Sequence, residues 1–237
     1  MLGTWLTRLS RLAPALPSRC AACGAWPAEP VCESCVRRFA QPVARCVHCA
    51  LPVPPGAAAC GACLREPPPL DRCHAAVPYA YPWSRLLMRF KFGGEPGWSR
   101  TFAALVLGVP GVARSVAEAD FVVPMPLSRE RLAVRGFNQS LELARVLAPG
   151  RFEASLLLRL RDTAPQTALG RRQRAENVRG AFAVDPLRAA QVSGRRVLLV
   201  DDVMTSGASL FAAAQALRAA GAAAVDAVVI ARTDEPA

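Results

Sequence analysis

The sequence predicts an α/β protein with a doubly wound parallel sheet, preceded by a small Cys-rich double zinc ribbon. Three observations support this prediction. Apolar strand patterns alternate with helical patterns over most of the chain. The stretch VLLVDDVMTSGAS, residues 197–209, combines a buried strand, two acids and a turn of small residues. Eight of the nine cysteines form four C-x-x-C pairs near the start of the chain.

The composition limits the classes of protein to consider. A hydrophobic content of 52% with 20% charged residues excludes a disordered or collagen-like chain. The net charge of +11 suggests an anionic partner, either nucleic acid or a phosphorylated small molecule. Lys91 is the only lysine among 29 basic residues, so part of this charge reflects a bias toward arginine. The apolar stretch 101–113 is too short for a membrane span of about 20 residues, and we expect no transmembrane helix.

The first 19 residues have the pattern of a short amphipathic helix or tail. Arg8 and Arg11 interrupt the apolar run that a signal peptide would need. We therefore expect a cytoplasmic protein, in a compartment that keeps thiols reduced.

The cysteine pairs predict two structural zinc sites in residues 20–66. Two C-x-x-C turns supply the four sulfurs of one tetrahedral site, and four such turns exceed what redox chemistry requires. Sequential pairing gives two stacked ribbons and is favoured by the short, similar spacers, whereas interleaved pairing would give a RING-like cross-brace. His48 is expected not to be a ligand, and Cys73 to be a buried free thiol. The predicted zinc ligands are Cys20, Cys23, Cys32, Cys35, Cys46, Cys49, Cys60 and Cys63.

The proline-rich stretch REPPPLD, residues 65–71, separates the ribbon from a larger domain over 71–237. In this domain the periodicity predicts helices and strands in alternation, and Asn138 is a predicted helix N-cap. The predicted helices cover 84–92, 97–107, 139–148 and 209–220. The predicted strands cover 120–126, 155–160, 180–184, 197–200 and 225–232. The last strand–helix–strand unit predicts parallel pairing.

The acids after the strand 197–200 indicate a ligand site. In an open α/β sheet the ligand binds beyond the carboxyl ends of the strands, so we expect Asp201 and Asp202 in an exposed crevice there. Thr205–Ser209 leads into a helix N-terminus, whose N–H groups and hydroxyls suit phosphate. Because carboxylates bind hydroxyls or Mg²⁺, the pattern indicates a ribose 5-phosphate. A receiver-type or phosphatase site, or a turn with solvated acids, stays open as an alternative; the chain lacks the P-loop and G-x-G-x-x-G motifs.

Two connections are rich in arginine. PMPLSRERLAVRGFNQS, residues 124–140, follows a strand and contains Arg129, Arg131 and Arg135. The segment 162–178 is longer than an ordinary loop and contains Arg171, Arg172 and Arg174. Loops of this length often act as lids over a site.

These motifs resemble a known family. The stretch 197–209 resembles the phosphoribosyl diphosphate (PRPP) motif of type I phosphoribosyltransferases, four hydrophobic residues followed by D-D-x-x-T-T-G-x-T, with Ser206 and Ser209 in place of threonines. The order of cysteine pairs, FKFGG, VPMPLSRERLAVRGFNQS, Q-x-x-L-x-x-x-x-R-x-x-N and the PRPP motif is similar to the competence-protein ComF family, with its gluconate-utilisation relatives named GntX. The resemblance covers nearly the whole chain from Cys20.

The resemblance implies a fold of type I phosphoribosyltransferase type and a role for each motif. Asp201 and Asp202 would hold the ribose hydroxyls, and Arg129 and Lys91 would join them as catalytic residues. The 5-phosphate would bind to Thr205, Ser206, Gly207, Ala208 and Ser209. Arg129, Arg131 and Arg135 would meet the diphosphate, with Gly136, Phe137, Asn138 and Gln139 completing the turn. The flap would contain Gln166, Arg171, Arg174 and Asn177.

The implied function is binding of PRPP with Mg²⁺, with transfer of the phosphoribosyl group to an unknown acceptor and release of diphosphate, in a protein of DNA uptake and natural transformation. Other competence proteins are implied partners. Two alternatives stay open: a PRPP-responsive regulator without turnover, and a single-stranded-DNA-binding competence factor. The candidate base-stacking residues are Trp26, Phe39, Tyr79, Tyr81 and Trp83.

Overall fold

The computed structural model describes residues 18–161, 178 and 180–234. The chain forms two compact units, Met1–Arg38 and Phe39–Ala237. Most of the helix predicted over 1–19 lies outside the described residues, as does the flap segment 162–177 with Gln166, Arg171, Arg174 and Asn177. The domain ranges 1–19, 20–66 and 71–237 stay predictions.

Helices and strands alternate through the larger unit. The helices are α1 Glu33–Phe39, α2 Gly61–Arg65, α3 Trp83–Phe92, α4 Trp98–Leu107, α5 Val112–Glu118, α6 Arg129–Arg135, α7 Gln139–Leu147, α8 Ala189–Val192 and α9 Ala208–Ala219. The strands are β1 Arg72–Pro78, β2 Phe121–Pro124, β3 Leu157–Arg159, β4 Phe182–Val184, β5 Arg196–Met204 and β6 Ala224–Arg232.

The main sheet has four parallel strands in the order β1-β6-β5-β2. The strand–helix–strand unit β5–α9–β6 confirms the predicted parallel pairing, with Val197 opposite Val225. Because all four strands run the same way, their carboxyl ends meet at one edge, where β5 ends at Met204 and β6 at Arg232. This edge positions the candidate site.

Helices cover both faces of this sheet, as a doubly wound fold requires. On one face, Leu199 and Val229 belong to the same apolar cluster as Leu217 of α9. On the other, α4 packs against β6, and α7 packs against β5 and β2. Both faces of β5 and β6 are therefore buried, which explains their unbroken apolar runs.

The strands predicted over 155–160 and 180–184 are present, but they lie outside the main sheet. They form β3 and β4, which pair antiparallel with each other, Leu158 opposite Ala183. This pair stands at the two ends of the segment 162–177.

The two cysteine clusters belong to different units. The first cluster, Cys20, Cys23, Cys32 and Cys35, lies in Met1–Arg38, and the second cluster, Cys46, Cys49, Cys60 and Cys63, lies in the larger unit. Cys46, Cys49 and Cys63 are buried in the same apolar cluster as Leu199 and Met204 of β5. The second cluster is thus part of the core that supports the sheet edge.

In the part of the chain that the structure describes, no single helix is long and apolar enough to cross a membrane. Among the described helices, α4 and α5 taken together reach that length and composition, but they are bent by 100° relative to each other.

Candidate functional site

Asp201 and Asp202 lie near the carboxyl end of β5. Oδ1 of Asp201 accepts hydrogen bonds from Oγ of Ser140 at 2.9 Å and from the backbone N–H of Asp202 at 2.9 Å. Asp202 is only 7% exposed, so the expectation that both acids sit in an exposed crevice is wrong for this residue. Its carboxylate is covered by another side chain.

That covering side chain is Lys91, near the end of α3. Its Nζ lies 2.9 Å from Oδ1 of Asp202, and the two side chains are 16% and 10% exposed. The Nε2 of Gln139 donates to the backbone carbonyl of Lys91 at 3.4 Å, which joins the start of α7 to this lysine. Lys91 therefore lies beside Asp202, and this ion pair is largely shielded from solvent.

The carboxyl group of Asp201 holds its proton more tightly than an ordinary aspartate. Burial and the adjacent Asp202 raise its pKa to about 6, against the hydrogen bonds from Asp202 and Ser140 and the charge of Lys91, which lower it. A carboxyl with a pKa this close to neutrality is typical of a functional site. This observation disfavours a turn with solvated acids.

The three predicted arginines of the connection after β2 differ in their surroundings. Arg135 lies over the ring of Phe92 at 5.0 Å, and its Nη1 donates to Oε1 of Gln139 at 2.9 Å. Burial and Arg131 lower the pKa of Arg135, while Asp202 and Asp201 raise it. Arg131 is half-buried and Arg129 is exposed. The guanidinium of Arg135 thus interacts electrostatically with both carboxylates.

This connection is folded into two helices instead of a loop. The Oγ of Ser128 caps α6 by accepting from the N–H of Arg131, and Gly136 ends that helix with φ of 76°. Oδ1 of Asn138 then caps α7 by accepting from the N–H groups of Ser140 and Leu141, which confirms the predicted N-cap. Because of this cap, Ser140 faces Asp201 from the first turn of α7.

The turn Thr205–Ser209 leads from β5 into α9, with Gly207 at the N-cap. Gly207 has φ of 85°, and a Cβ there would lie 2.5 Å from Cε of Met204 and 2.7 Å from Cζ of Phe211. Only glycine fits this position. Oγ of Ser206 accepts from the N–H of Ala208 at 3.4 Å. The first N–H groups of a 12-residue helix and the three hydroxyl residues of the turn thus follow closely after the two acids in the chain.

Both cysteine clusters have the geometry of tetrahedral metal sites. The four Sγ atoms of each lie within 4.8 Å of one another. Sγ of Cys23 is 3.7 Å from Sγ of Cys32, and Sγ of Cys49 is 3.6 Å from Sγ of Cys60. Four sulfurs about 2.3 Å from a tetrahedral zinc are about 3.8 Å apart, so either cluster could hold Zn²⁺. The sequential pairing is confirmed and the interleaved one is wrong.

Arg232, at the end of β6, connects the second cluster to the turn Thr205–Ser209. Its Nε donates to the carbonyl of Cys49 at 2.9 Å. Its Nη1 donates to the carbonyls of Met204, at 3.1 Å, and Thr205. The side chain is almost fully buried, so these hydrogen bonds are shielded from water. The guanidinium of Arg232 thus links the backbone of the second cluster to the start of the turn.

His48 and Cys73 have structural surroundings. Nδ1 of His48 is 3.1 Å from the carbonyl of Leu70, and His48 is not among the cluster ligands, as expected. Cys73 is a buried free thiol, as expected. Its Sγ donates to Sδ of Met204 at 3.5 Å, and burial raises the pKa of this thiol to about 12.

Neither Ser140 nor Arg232 is predicted as a site residue by the sequence patterns. Arg232 carries a weak signal, because it is a charged residue at the end of an apolar run, 227–231. Ser140 carries none beyond its position after an N-cap, since its contact with Asp201 depends on how α7 packs on β5.

Comparison with known proteins finds one domain family and several related proteins. Residues 142–237 match the model of the phosphoribosyl transferase domain. The DNA utilization protein YhgH of Salmonella typhimurium is 34% identical over 209 residues, which cover 86% of this chain and 90% of that protein. Competence protein F of Haemophilus influenzae is 31% identical over 198 residues, covering 81% of this chain and 85% of that protein. Competence protein ComFC of Streptococcus pneumoniae is 32% identical over 56% of each chain.

Proposed function

The chain belongs to the family of the DNA utilization protein YhgH and competence protein F, which contains a phosphoribosyl transferase domain, and on this premise we propose that it binds PRPP or a related ribose 5-phosphate at the carboxyl end of β5. The observation that supports this most is the adjacency of two acids and the turn Thr205–Ser209. A ribose 5-phosphate has a diol and a phosphate at a matching separation. Its hydroxyls suit the carboxylates and its phosphate suits the turn.

The proposed roles follow from the charges around the acids. Asp201 and Asp202 accept hydrogen bonds from the ribose hydroxyls, and the N–H groups of Gly207, Ala208 and Ser209 donate to the 5-phosphate. Lys91 and Arg135 are the cations placed to meet the diphosphate, since one is paired with Asp202 and the other interacts with both acids. Arg129 and Arg131 have more exposed positions and serve the same anion at longer range.

We further propose transfer of the phosphoribosyl group. The bond between C1 of the ribose and the diphosphate oxygen breaks, a bond from C1 to the acceptor forms, and the diphosphate leaves with the electron pair. Mg²⁺ bound with the diphosphate would neutralise charge on the leaving group. Fixed cations that stabilise this developing charge need no nucleophilic side chain.

The zinc and the cellular location belong to the same proposal. We propose that each cysteine cluster holds one structural Zn²⁺, because four sulfurs leave no position open for a substrate. Thiol-only metal sites are typical of reducing compartments, which supports action in the cytoplasm. The role in DNA uptake rests on the names of the relatives, which are a DNA utilization protein and competence proteins.

The test is calorimetric titration of PRPP with Mg²⁺ into wild type, Asp202→Asn and Asp185→Asn at two salt concentrations. Asp185 is a partly exposed acid outside the site whose Oδ1 accepts from the N–H of Leu187, and Asn keeps this acceptor, so its variant controls for the change in charge. We expect saturable binding in wild type and in Asp185→Asn, and none in Asp202→Asn. Equal binding in all three proteins, or none in any, would contradict the proposed site. Release of diphosphate on addition of an acceptor would then test transfer.

A second candidate function is binding of single-stranded DNA, which the exposure of two aromatic side chains favours. Trp26 is 60% and Tyr81 57% exposed, as stacking on bases requires. Trp83 is fully buried and donates from Nε1 to the carbonyl of Phe39, so its assignment as a stacking residue is wrong. We expect Tyr81→Ala to weaken DNA binding about fivefold or more while Asp202→Asn leaves it unchanged. Competition between DNA and PRPP would instead indicate one shared site.

A further inference from the structure

Gln139 is a buried polar side chain to which the proposed function gives no role. It is the first residue of α7 and is only 1% exposed. A buried amide needs hydrogen-bond partners for both its oxygen and its nitrogen, because an unpartnered polar group inside a protein is unfavourable. The partners of Gln139 therefore indicate what this side chain does.

The amide of Gln139 joins the two residues that carry the proposed diphosphate cations. Its Oε1 accepts from Nη1 of Arg135 at 2.9 Å. Its Nε2 donates to the backbone carbonyls of Lys91 and Phe137, each at 3.4 Å. A guanidinium only donates and a carbonyl only accepts, so these partners fix the orientation of the amide. An uncharged group that both donates and accepts is needed here.

Ring contacts hold the same two segments together. The rings of Phe90 and Phe137 have centroids 5.8 Å apart, and the guanidinium of Arg135 lies 5.0 Å from the centroid of the Phe92 ring. Phe90 and Phe92 flank Lys91 in the sequence. The end of α3 is therefore packed, on both sides of this lysine, against the segment that leads into α7.

The two cations differ in how their charge is compensated. Nζ of Lys91 is 2.9 Å from Oδ1 of Asp202, whereas among the described residues no carboxylate pairs with Arg135. A neutral amide and an aromatic ring orient the guanidinium of Arg135 and leave its charge available. A cation fixed in this way suits an anionic ligand. A glutamate at position 139 would accept the same hydrogen bond but would neutralise that charge.

We infer that Gln139 is a positioning residue for an anion on C1 of the ligand, because it holds Arg135 and the backbone of Lys91 where a diphosphate on C1 would meet both cations. This inference rests on the proposed binding of a ribose 5-phosphate. It makes the site selective for a ribose 5-phosphate with a diphosphate on C1 over the same sugar with a hydroxyl there. Gln139 acts through Arg135 and Lys91 and does not itself bind the ligand.

The test compares PRPP with ribose 5-phosphate, both with Mg²⁺, by calorimetry on the full chain. The ratio of the two dissociation constants measures what the diphosphate on C1 adds. We expect Gln139→Glu to reduce the preference for PRPP about tenfold, as for one lost interaction with a charged group, and to leave binding of ribose 5-phosphate unchanged. Gln191→Glu is the matched control, because Gln191 is exposed on α8 and accepts from Arg188, before the amino end of β5. It should keep the preference.

A second variant shows whether Gln139 acts through Arg135. Gln139→Met removes both hydrogen-bonding functions without adding a charge, so it should also reduce the preference for PRPP. In an Arg135→Met background the same change should reduce it much less, because the two effects are coupled. Urea unfolding shows that each protein is folded, and either variant of Gln139 is sufficient for the comparison.

Three results would overturn the inference while the proposed function stands. They are equal affinity of wild type for the two ligands, a preference that is unchanged in the Gln139 variants, and an equal loss for both ligands, which a merely structural role would give. Absence of binding of both ligands to wild type would overturn the inference and the proposed function together.

Discussion

The ammonium group of Lys91 lies 2.9 Å from Oδ1 of Asp202, so the one lysine of the chain is paired with one of the two acids that follow the strand core. The residues are far apart in sequence and come from α3 and β5. Their side chains are mostly shielded from solvent, so each charge depends on the other for compensation.

This pairing predicts coupled stability. Lys91→Met and Asp202→Asn should each lower the free energy of unfolding in urea, because each leaves the other charge partly buried and unpaired. The double variant should be more stable than the sum of the two losses implies, with a coupling energy of about 1–2 kcal/mol. The exposed pair Arg114 and Glu118 is the matched control, where solvent screening should make the coupling much smaller. Additive losses at Lys91 and Asp202 would contradict the prediction.

The raised pKa of Asp201 predicts that its charge lowers the stability of the fold but is needed to bind the ligand. Its pKa of about 6 in the folded protein is above the ordinary value of 3.8, so the folded state takes up the proton more readily than the unfolded state. Stability therefore falls as pH rises from about 4 to about 6. Asn keeps the acceptor oxygen for Ser140 and Asp202 but carries no charge.

We expect Asp201→Asn to raise the free energy of unfolding above pH 6 by about 3 kcal/mol, since one pKa unit corresponds to about 1.4 kcal/mol, and to change it little at pH 4. Urea unfolding at both pH values measures this effect. The affinity of wild type for PRPP should rise with pH through about 6, because the ionised acid binds the ribose hydroxyls. A variant less stable than wild type at pH 7.5 would show that the charge is better compensated than the burial implies.

Gly207 predicts a steric limit in the turn. Gly207→Ala should lower the free energy of unfolding by about 1–3 kcal/mol and remove binding of ribose 5-phosphate, because the new Cβ would push Met204 and Phe211 apart. Gly194→Ala is the control, with φ of 71° and open space around its Cβ. It imposes the backbone strain without the clash. Equal effects on ligand binding would mean that strain alone explains the result.

The two cysteine clusters should differ in what their loss disturbs. Cys46→Ser removes a ligand from the cluster that lies in the core of the larger unit, so we expect a lower melting temperature for the sheet and weaker PRPP binding. Cys23→Ser alters the cluster of the smaller unit and should lower zinc content by about one equivalent. Circular dichroism, zinc content and calorimetry distinguish the two variants. A sheet that melts unchanged after Cys46→Ser would show that its core does not need this metal.

Arg232 predicts a linkage between zinc and ligand. Because its guanidinium joins the carbonyl of Cys49 to those of Met204 and Thr205, each ligand should tighten binding of the other by the same factor, which we expect to be about fivefold. The measurement is equilibrium competition for zinc with a chelator, with and without ribose 5-phosphate, in a Cys23→Ser background so that only the second cluster titrates. Arg232→Lys, which cannot make all of these bonds, should abolish the factor. If ribose 5-phosphate still tightens zinc binding fivefold in Arg232→Lys, the coupling does not depend on these hydrogen bonds.

Local patterns in the sequence were sufficient for much of the fold and site. The apolar run before Asp201, the N-cap at Asn138 and the spacing of the cysteine pairs are short-range signals, and the structure confirms all three. The strand β1 was not predicted, although its buried residues alternate along the chain. It directly follows the proline-rich stretch 65–71, whose composition is typical of a domain boundary and not of a strand.

Contacts between residues that are far apart in the sequence could not be predicted from periodicity. Nothing local to Lys91 or Arg232 says which acid or carbonyl each will meet, because those contacts depend on the order of strands and the packing of helices. The antiparallel pairing of β3 with β4 is of the same kind, since the pattern of a strand is silent about its partner. A cavity beside Phe211 is lined by the second cluster, the turn after β5, α9 and the end of β6, so it too depends on segments that are distant in the sequence.

The position of β6 has a consequence for how the chain reaches this fold. β6 lies between β1 and β5, so β1 has no partner in the main sheet until β6 is synthesised, long after β1 itself. During synthesis β1 therefore keeps an unpaired strand edge until β6 emerges from the ribosome. The pairing that completes the sheet joins segments that are far apart in the sequence, which slows folding. The four cysteines of the second cluster all lie within residues 46–63, so their sulfurs can come together before β6 is synthesised.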